Sequence, residues 1–193
     1  MSTPAPKSDA DEVFQRELMP HAHALSAFAY RLSQDAQDAN DLVQVTYLKA
    51  YRFIDSYERG SNAKAWLFRI LKNHFINEYR KRQNRPHTVD YAEVFTLEES
   101  DAANVPVSFD LRHELFAHLL GDEVTQAINA LPVNFRLVLL LCDIEGFTYE
   151  EIARITDVPL GTVRSRLHRA RSLLKDTLRP YAQKRGISDR KAR

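Results

Sequence analysis

A single cysteine, Cys142, stands in a chain of 193 residues, so neither an internal disulfide nor a cysteine-built zinc site can form. Glycine is scarce, at 5 residues, and long stretches have no proline, which favours helices over a loop-rich β fold. No apolar run approaches the roughly 18 residues that a membrane-spanning helix needs. Residues Met1 to Ala10 lack the apolar core of a signal peptide, so a reducing cytoplasm is the expected compartment. A phosphate-cradling glycine loop is missing, and the acids form no clustered carboxylate pattern suited to magnesium. His21 and His23 are poor joint ligands, because side chains two apart on a helix diverge. The expectation is therefore no enzyme, no catalytic residue, no metal and no cofactor.

What is present is an ordinary folded composition, 44% hydrophobic and 27% charged. The net charge of +1 hides an uneven distribution. Lys64 to Arg85 carries seven Lys/Arg against one acid, and Arg154 to Lys175 carries six against one. Between them, Asp90 to Glu123 holds nine acids and only Arg112 as a cation. Two basic blocks around an acidic stretch point to a phosphate backbone as partner.

Hydrophobic periodicity divides the chain into helices. One runs from about Asp11 to Leu32; Asp35 then caps a second that reaches about Ile54. Asp55 to Ser61 reads as a loop, and a third helix follows from about Asn62 to Arg82, stopped by Pro86. Residues 1–10 read as a disordered tail, 11–86 as a first domain and 87–121 as a flexible acidic linker, with a short helix around Leu111 to Leu119. Residues 122–179 read as a second domain with helices near 123–130, 133–143, 149–155 and 161–178, and 180–193 as a frayed basic tail. The fold class is all-α: two small helical domains on a tether. Cys142, within an apolar run, reads as a small buried hydrophobe.

The second domain carries a helix-turn-helix pattern. Thr148 can cap a helix while Glu151 closes a capping box. A turn through Asp157 and Pro159 leads to a helix whose Val163, Leu167, Ala170 and Leu174 share the core face. Arg164, Ser165, His168 and Arg169 then fall outward, the layout of a recognition helix in a major groove. Arginine suits that position, because its planar fork makes paired hydrogen bonds to guanine.

In the first domain, Ala39, Leu42, Val43, Tyr47, Ala50 and Ile54 form one apolar stripe of the second helix. Leu48 projects almost opposite, beside Val45, Asp41, Asp38 and Arg52, which suggests a docking face for another protein. The third helix is apolar around most of its girth. One stripe differs: Trp66, Arg69, Ile70, Asn73, Asn77, Arg80 and Asn84 suit a DNA strand, with phosphates on cations and a base on a ring. From the pattern alone, Trp66 belongs to the core more than to a stacking platform.

These residues resemble a known family. Asp38-Ala39-Asn40-Asp41-Leu42-Val43-Gln44 is similar to the polymerase-binding segment of extracytoplasmic-function sigma factors. Ala65-Trp66-Leu67 through Asn73, with Arg80-Lys81-Arg82, resembles their promoter-melting helix. Ala130-Leu131-Pro132, the stretch Gly146 to Ala153 and the stretch Gly161 to Leu167 resemble their second domain. The likeness spans about Phe14 to Leu178 in the family's order and spacing. It departs at Asn40 and Val45, where the family often has acids.

The resemblance implies that 11–86 is sigma region two and 122–179 sigma region four. Asp38, Asp41, Leu42, Gln44, Val45 and Leu48 would dock on the clamp coiled coil of the largest subunit of core RNA polymerase. The loop Asp55 to Ser61 would hold a base flipped from the promoter's minus-ten element. Minus-ten contacts would come from Tyr57, Ser61, Asn62, Trp66, Arg69, Asn73, Asn77, Arg80 and Lys81. Thr162, Arg164, Ser165, His168, Arg169 and Arg171 would meet the minus-thirty-five element. An anti-sigma factor is the further partner implied, and a stress response the setting. The alternative is a helix-turn-helix regulator acting alone, which leaves the docking face and the Trp66 helix unexplained.

Overall fold

The computed structural model describes residues 9–84 and 122–186, and among them every regular element is a helix. The expected linker, its short helix and both extreme ends lie outside the described residues.

The first stretch is interrupted where the periodicity predicts one helix. Helix α1 (Asp9–Val13) widens into a π turn at Phe14–Leu18 and tightens into a 3₁₀ turn at Met19–His21. Pro20 sits in that 3₁₀ turn, and a proline has no N–H to give an α-helical ladder. Helix α2 (Ala22–Ser33) follows and ends on Gln34, which takes a left-handed φ of 64° and closes the helix through its N–H to Tyr30 O. Asp35 then caps α3 (Ala36–Arg52), its carboxylate accepting from the Asp38 N–H at 2.8 Å. Beyond a loop, Asn62 Oδ1 accepts from the Ala65 N–H at 2.9 Å and starts α4 (Ala63–Asn84).

Helices α2, α3 and α4 pack against one another, and the turn after α1 lies on α4. Their core holds Leu18, Leu25, Phe28, Leu32, Val43, Leu67, Phe68 and Leu71, all essentially without exposure. Each such side chain contributes roughly 1.5–3 kcal/mol by leaving water. The second unit has α5 (Asp122–Asn129), α6 (Val133–Leu139, continued by a π turn at Leu140–Ile144), α7 (Tyr149–Thr156) and α8 (Leu160–Lys184). Leu137 to Leu141, Ile152, Ile155, Val163, Leu167 and Ala170 form its interior. Helix α8 runs through Pro180 to Lys184, beyond the end expected near Leu178. Cys142 is half-buried rather than enclosed, with its sulfur near the Arg171 guanidinium.

One further feature departs from two domains on a tether: the two units share a core. Helix α4 packs on α7, and Phe68 meets Phe147 edge to face at 5.2 Å. Lys64 joins them at the same place. Its ammonium pairs with the Glu145 carboxylate at 3.0 Å, donates to Glu145 O at 2.8 Å and stands 4.9 Å from the Phe147 ring. Asn62 donates to Glu151 at 2.6 Å, and Gln34 to Asn129 O at 3.2 Å.

Candidate nucleic-acid and polymerase interface

Three surfaces gather the residues singled out by sequence. The first is the outer face of α3. Asp41, Gln44 and Leu48 are exposed there, with Leu48 at 58%, and Val45 lies half-buried beside them. An exposed leucine flanked by an acid and an amide on a rigid helix suits contact with a protein. Leu42 is different: it is 5% exposed and belongs to the core stripe, so it shapes the helix from beneath. Asp38 is also committed. Both of its carboxylate oxygens accept from Arg82, at 2.7 and 3.0 Å, which clamps the start of α3 to the end of α4. That paired guanidinium holds the Asp38 carboxyl below the usual carboxylate range.

The second surface lies between the loop after α3 and the flank of α4. Phe53, Ser56, Trp66, Arg69, Ile70 and Asn73 line an open pocket of ≈ 220 Å³. Phe53 is 55% exposed, with the Arg52 guanidinium 5.9 Å from its ring centre. Arg69, Asn73, Asn77 and Arg80 are exposed along α4 at helical spacing from that pocket. Trp66 is partly buried: its ring packs on Tyr57 at 5.1 Å while its side chain also lines the pocket. It is thus both core and wall. Tyr57, expected at the DNA, is 6% exposed and lies behind Trp66. Lys81 is exposed and reaches Glu78 at 2.9 Å. Ile70 belongs to the expected stripe and Ser56 to the expected loop, whereas Phe53 has no place in either, and the bend of the chain after α3, which periodicity does not encode, brings it to α4.

The third surface is the helix-turn-helix. The capping box forms as its spacing predicts: Glu151 N–H donates to Thr148 Oγ1 at 3.2 Å, and Thr148 N–H to Glu151 Oε2 at 2.8 Å. Asp157 takes a left-handed φ of 57°, turning the chain sharply toward α8. Val163, Leu167 and Ala170 are buried, which leaves Arg164, Ser165, His168 and Arg169 exposed on the outer side. Thr162 is half-buried at the first turn. Arg171 points back into its own unit, where the guanidinium grips Asp143 at 2.6 and 3.2 Å. The structure therefore gives Arg171 an intrachain partner. Among the described residues, no helix is long and apolar enough to cross a membrane.

Comparison with known proteins matches both units. Residues 18–85 fit the family model "Sigma-70 region 2", and residues 121–174 fit "Sigma-70, region 4". The chain is 39% identical over 158 residues to the ECF RNA polymerase sigma factor EcfG of Rhodopseudomonas palustris, covering 82% of this chain and 81% of that protein. It is 34% identical over 175 residues to the RNA polymerase sigma-H factor of Pseudomonas aeruginosa, covering 86% of each. Among solved structures, the sigma factor RpoE of Bartonella quintana, in complex with the anti-sigma factor NepR, superposes with a TM-score of 0.63 at 35% identity. That match covers 86% of this chain and 96% of the other.

Proposed function

Because the chain belongs to the extracytoplasmic-function sigma factors of bacterial RNA polymerase, we propose that its three surfaces divide the work of promoter recognition. The protein binds core polymerase and directs initiation of transcription at specific promoters. Its own contribution is recognition; RNA synthesis belongs to the polymerase, whose compartment, the cytoplasm, it shares.

On this reading, Asp41, Gln44, Val45 and Leu48 dock α3 on the clamp coiled coil of the polymerase's largest subunit, while Leu42 and Asp38 hold that face in shape. The pocket beside Trp66 receives a base flipped from the minus-ten element. Unstacking a base costs a few kcal/mol, so a fitted pocket is needed to offset it. Ser61 and Asn62 border that base, and Arg69, Asn73, Asn77, Arg80 and Lys81 follow the strand. Arg164, Ser165, His168 and Arg169 read the minus-thirty-five element, with Thr162 at the helix start. An anti-sigma factor is a partner and a stress response the setting. Support comes from the relative solved in complex with one.

The observation that carries the reading is the pocket itself: an open cavity walled by Trp66, Arg69 and Asn73, continuous with an exposed cation and amide stripe. The test is abortive and run-off transcription with core polymerase on a promoter library. Trp66→Ala and Asn73→Ala should lose initiation on duplex promoters and recover on templates already unpaired over the minus-ten element. Equal loss on both templates would overturn the assignment.

A further inference from the structure

The first helical stretch reaches across region two to the loop that walls the base pocket. Glu17, in the π turn after α1, accepts two hydrogen bonds on its Oε2. One comes from Tyr57 Oη at 2.7 Å and the other from the Gly60 N–H at 2.8 Å. Two neighbouring acids brace the same region: Asp9 pairs with Arg59, and Asp11 accepts from Tyr51 Oη at 2.8 Å. Gly60 holds a left-handed φ of +72°, a conformation other residues rarely adopt, and the Glu17 carboxylate fixes its N–H there. The carboxyl is held below the ordinary glutamate range, first by the Tyr57 hydroxyl and then by the Gly60 N–H. Glu17 is therefore ionised near neutrality, where hydrogen bonds to it are of the stronger, charge-assisted kind.

The consequence passes through Tyr57. Its hydroxyl is tethered at Glu17 and also reaches Ser61 O at 3.3 Å, while its ring packs on Trp66 at 5.1 Å. Trp66 is a wall of the pocket, as are Phe53 and Ser56 from the tethered loop. Fixing one hydroxyl and one backbone N–H thus fixes both walls. We propose that Glu17 is a positioning residue for base capture, holding Tyr57 and Gly60 so that the loop and Trp66 present a pocket selective for one minus-ten base. This rests on the pocket being the base site. Glu17 does not itself touch DNA. A carboxylate facing a phosphate backbone would be repelled, and this one is turned into the loop, where it accepts from Tyr57 Oη and the Gly60 N–H.

The experiment uses the full chain with core polymerase on a promoter library randomised over the minus-ten element, counting transcripts per sequence. Variants are Glu17→Ala, Glu17→Gln, Tyr57→Phe and the double Glu17→Ala/Tyr57→Phe, with Trp66→Ala as a check on the pocket. Glu17→Ala and Tyr57→Phe should each change the preference at the same promoter position by roughly threefold to tenfold, the scale of one hydrogen bond. The double variant should do no more than Glu17→Ala alone, and Glu17→Gln should restore part of the preference. Affinity for core should stay at the wild-type value in all four. If Glu17→Ala proves unstable, Tyr57→Phe carries the test, since it removes only the hydroxyl. Uniform loss across all promoters with their ranking intact would overturn the role of Glu17. If Trp66→Ala leaves the preference unchanged, the base pocket itself is misplaced, a separate failure.

Discussion

Arg169 and Arg171 are two positions apart on one helix and have different employment. Arg169 stands exposed on the outer side of α8, whereas Arg171 is bound twice to Asp143. A base-reading arginine discriminates by about 1–3 kcal/mol against a wrong base. Arg169→Ala should therefore flatten the ranking of minus-thirty-five variants in a transcription assay with core polymerase. Arg171→Ala should leave that ranking intact and lower the unfolding free energy by up to about 1 kcal/mol, the scale of a solvent-exposed ion pair. Chemical denaturation of both variants checks the contrast. An identical flattening by the two would contradict it. Docking rests on single residues as well: Asp41→Arg should abolish binding to core with the helical content unchanged, as read by native gel shift and circular dichroism.

Helices are where the sequence was most legible, and their caps were the reason. Asp35, Thr148 and Glu151 announce their elements because a short side chain three residues from an orphan N–H has one evident use. Thr148→Ala should cost about 1 kcal/mol, visible as a lower melting temperature, since it removes one of those bonds. Prolines were harder to place. Pro20 marks a 3₁₀ turn inside an apparent single helix, while Pro180 lies inside α8, and local pattern does not separate the two outcomes. The site was partly legible. The outward faces of α3, α4 and α8 follow from periodicity, but Leu42 and Tyr57, expected at partners, face inward, and Arg171 holds Asp143. Asp38 and Arg82 show a related limit, being clamped to each other from helices far apart in sequence. That clamp gives an acid-sensitive element. Arg82 lowers the Asp38 pKa, so its stabilisation is complete above the ordinary carboxylate range and is lost as pH falls through the lowered value. Asp38→Asn should flatten the acid limb of a stability-versus-pH curve.

At the scale of the whole molecule, the apolar girth of α4 finds its explanation. One side packs into region two, and Lys64 and Phe68 meet region four on another. Lys72, 7% exposed, has its ammonium disfavoured by burial and favoured by Asp157 across the same boundary. This arrangement cannot be the one that reads a promoter. Elements near minus ten and minus thirty-five lie roughly 80 Å apart at 3.4 Å per base pair. A compact body of this size has a radius of gyration of only roughly 15 Å. Residues 85–121 could span about 120 Å if fully extended, so the chain has the reach once the units part. Glu145→Lys sets like charges against each other at the junction. It should enlarge the free protein in small-angle scattering and raise its DNA affinity several-fold at low salt, where screening is weakest. An unchanged radius would count against the junction as the holding point.

Glu145 and Glu151 are carboxylates held by Lys64 and Asn62, at the start of the helix along which the proposed promoter strand would run. They make region four an intrachain decoy, offering oxygen anions of the kind a nucleic acid would bring. One amide and one ammonium cannot answer to both, so a strand that reaches the start of α4 must win them from the protein's own other half. On the proposed reading, DNA that reaches the start of α4 competes with region four for Asn62, and parting the two units would release that side chain.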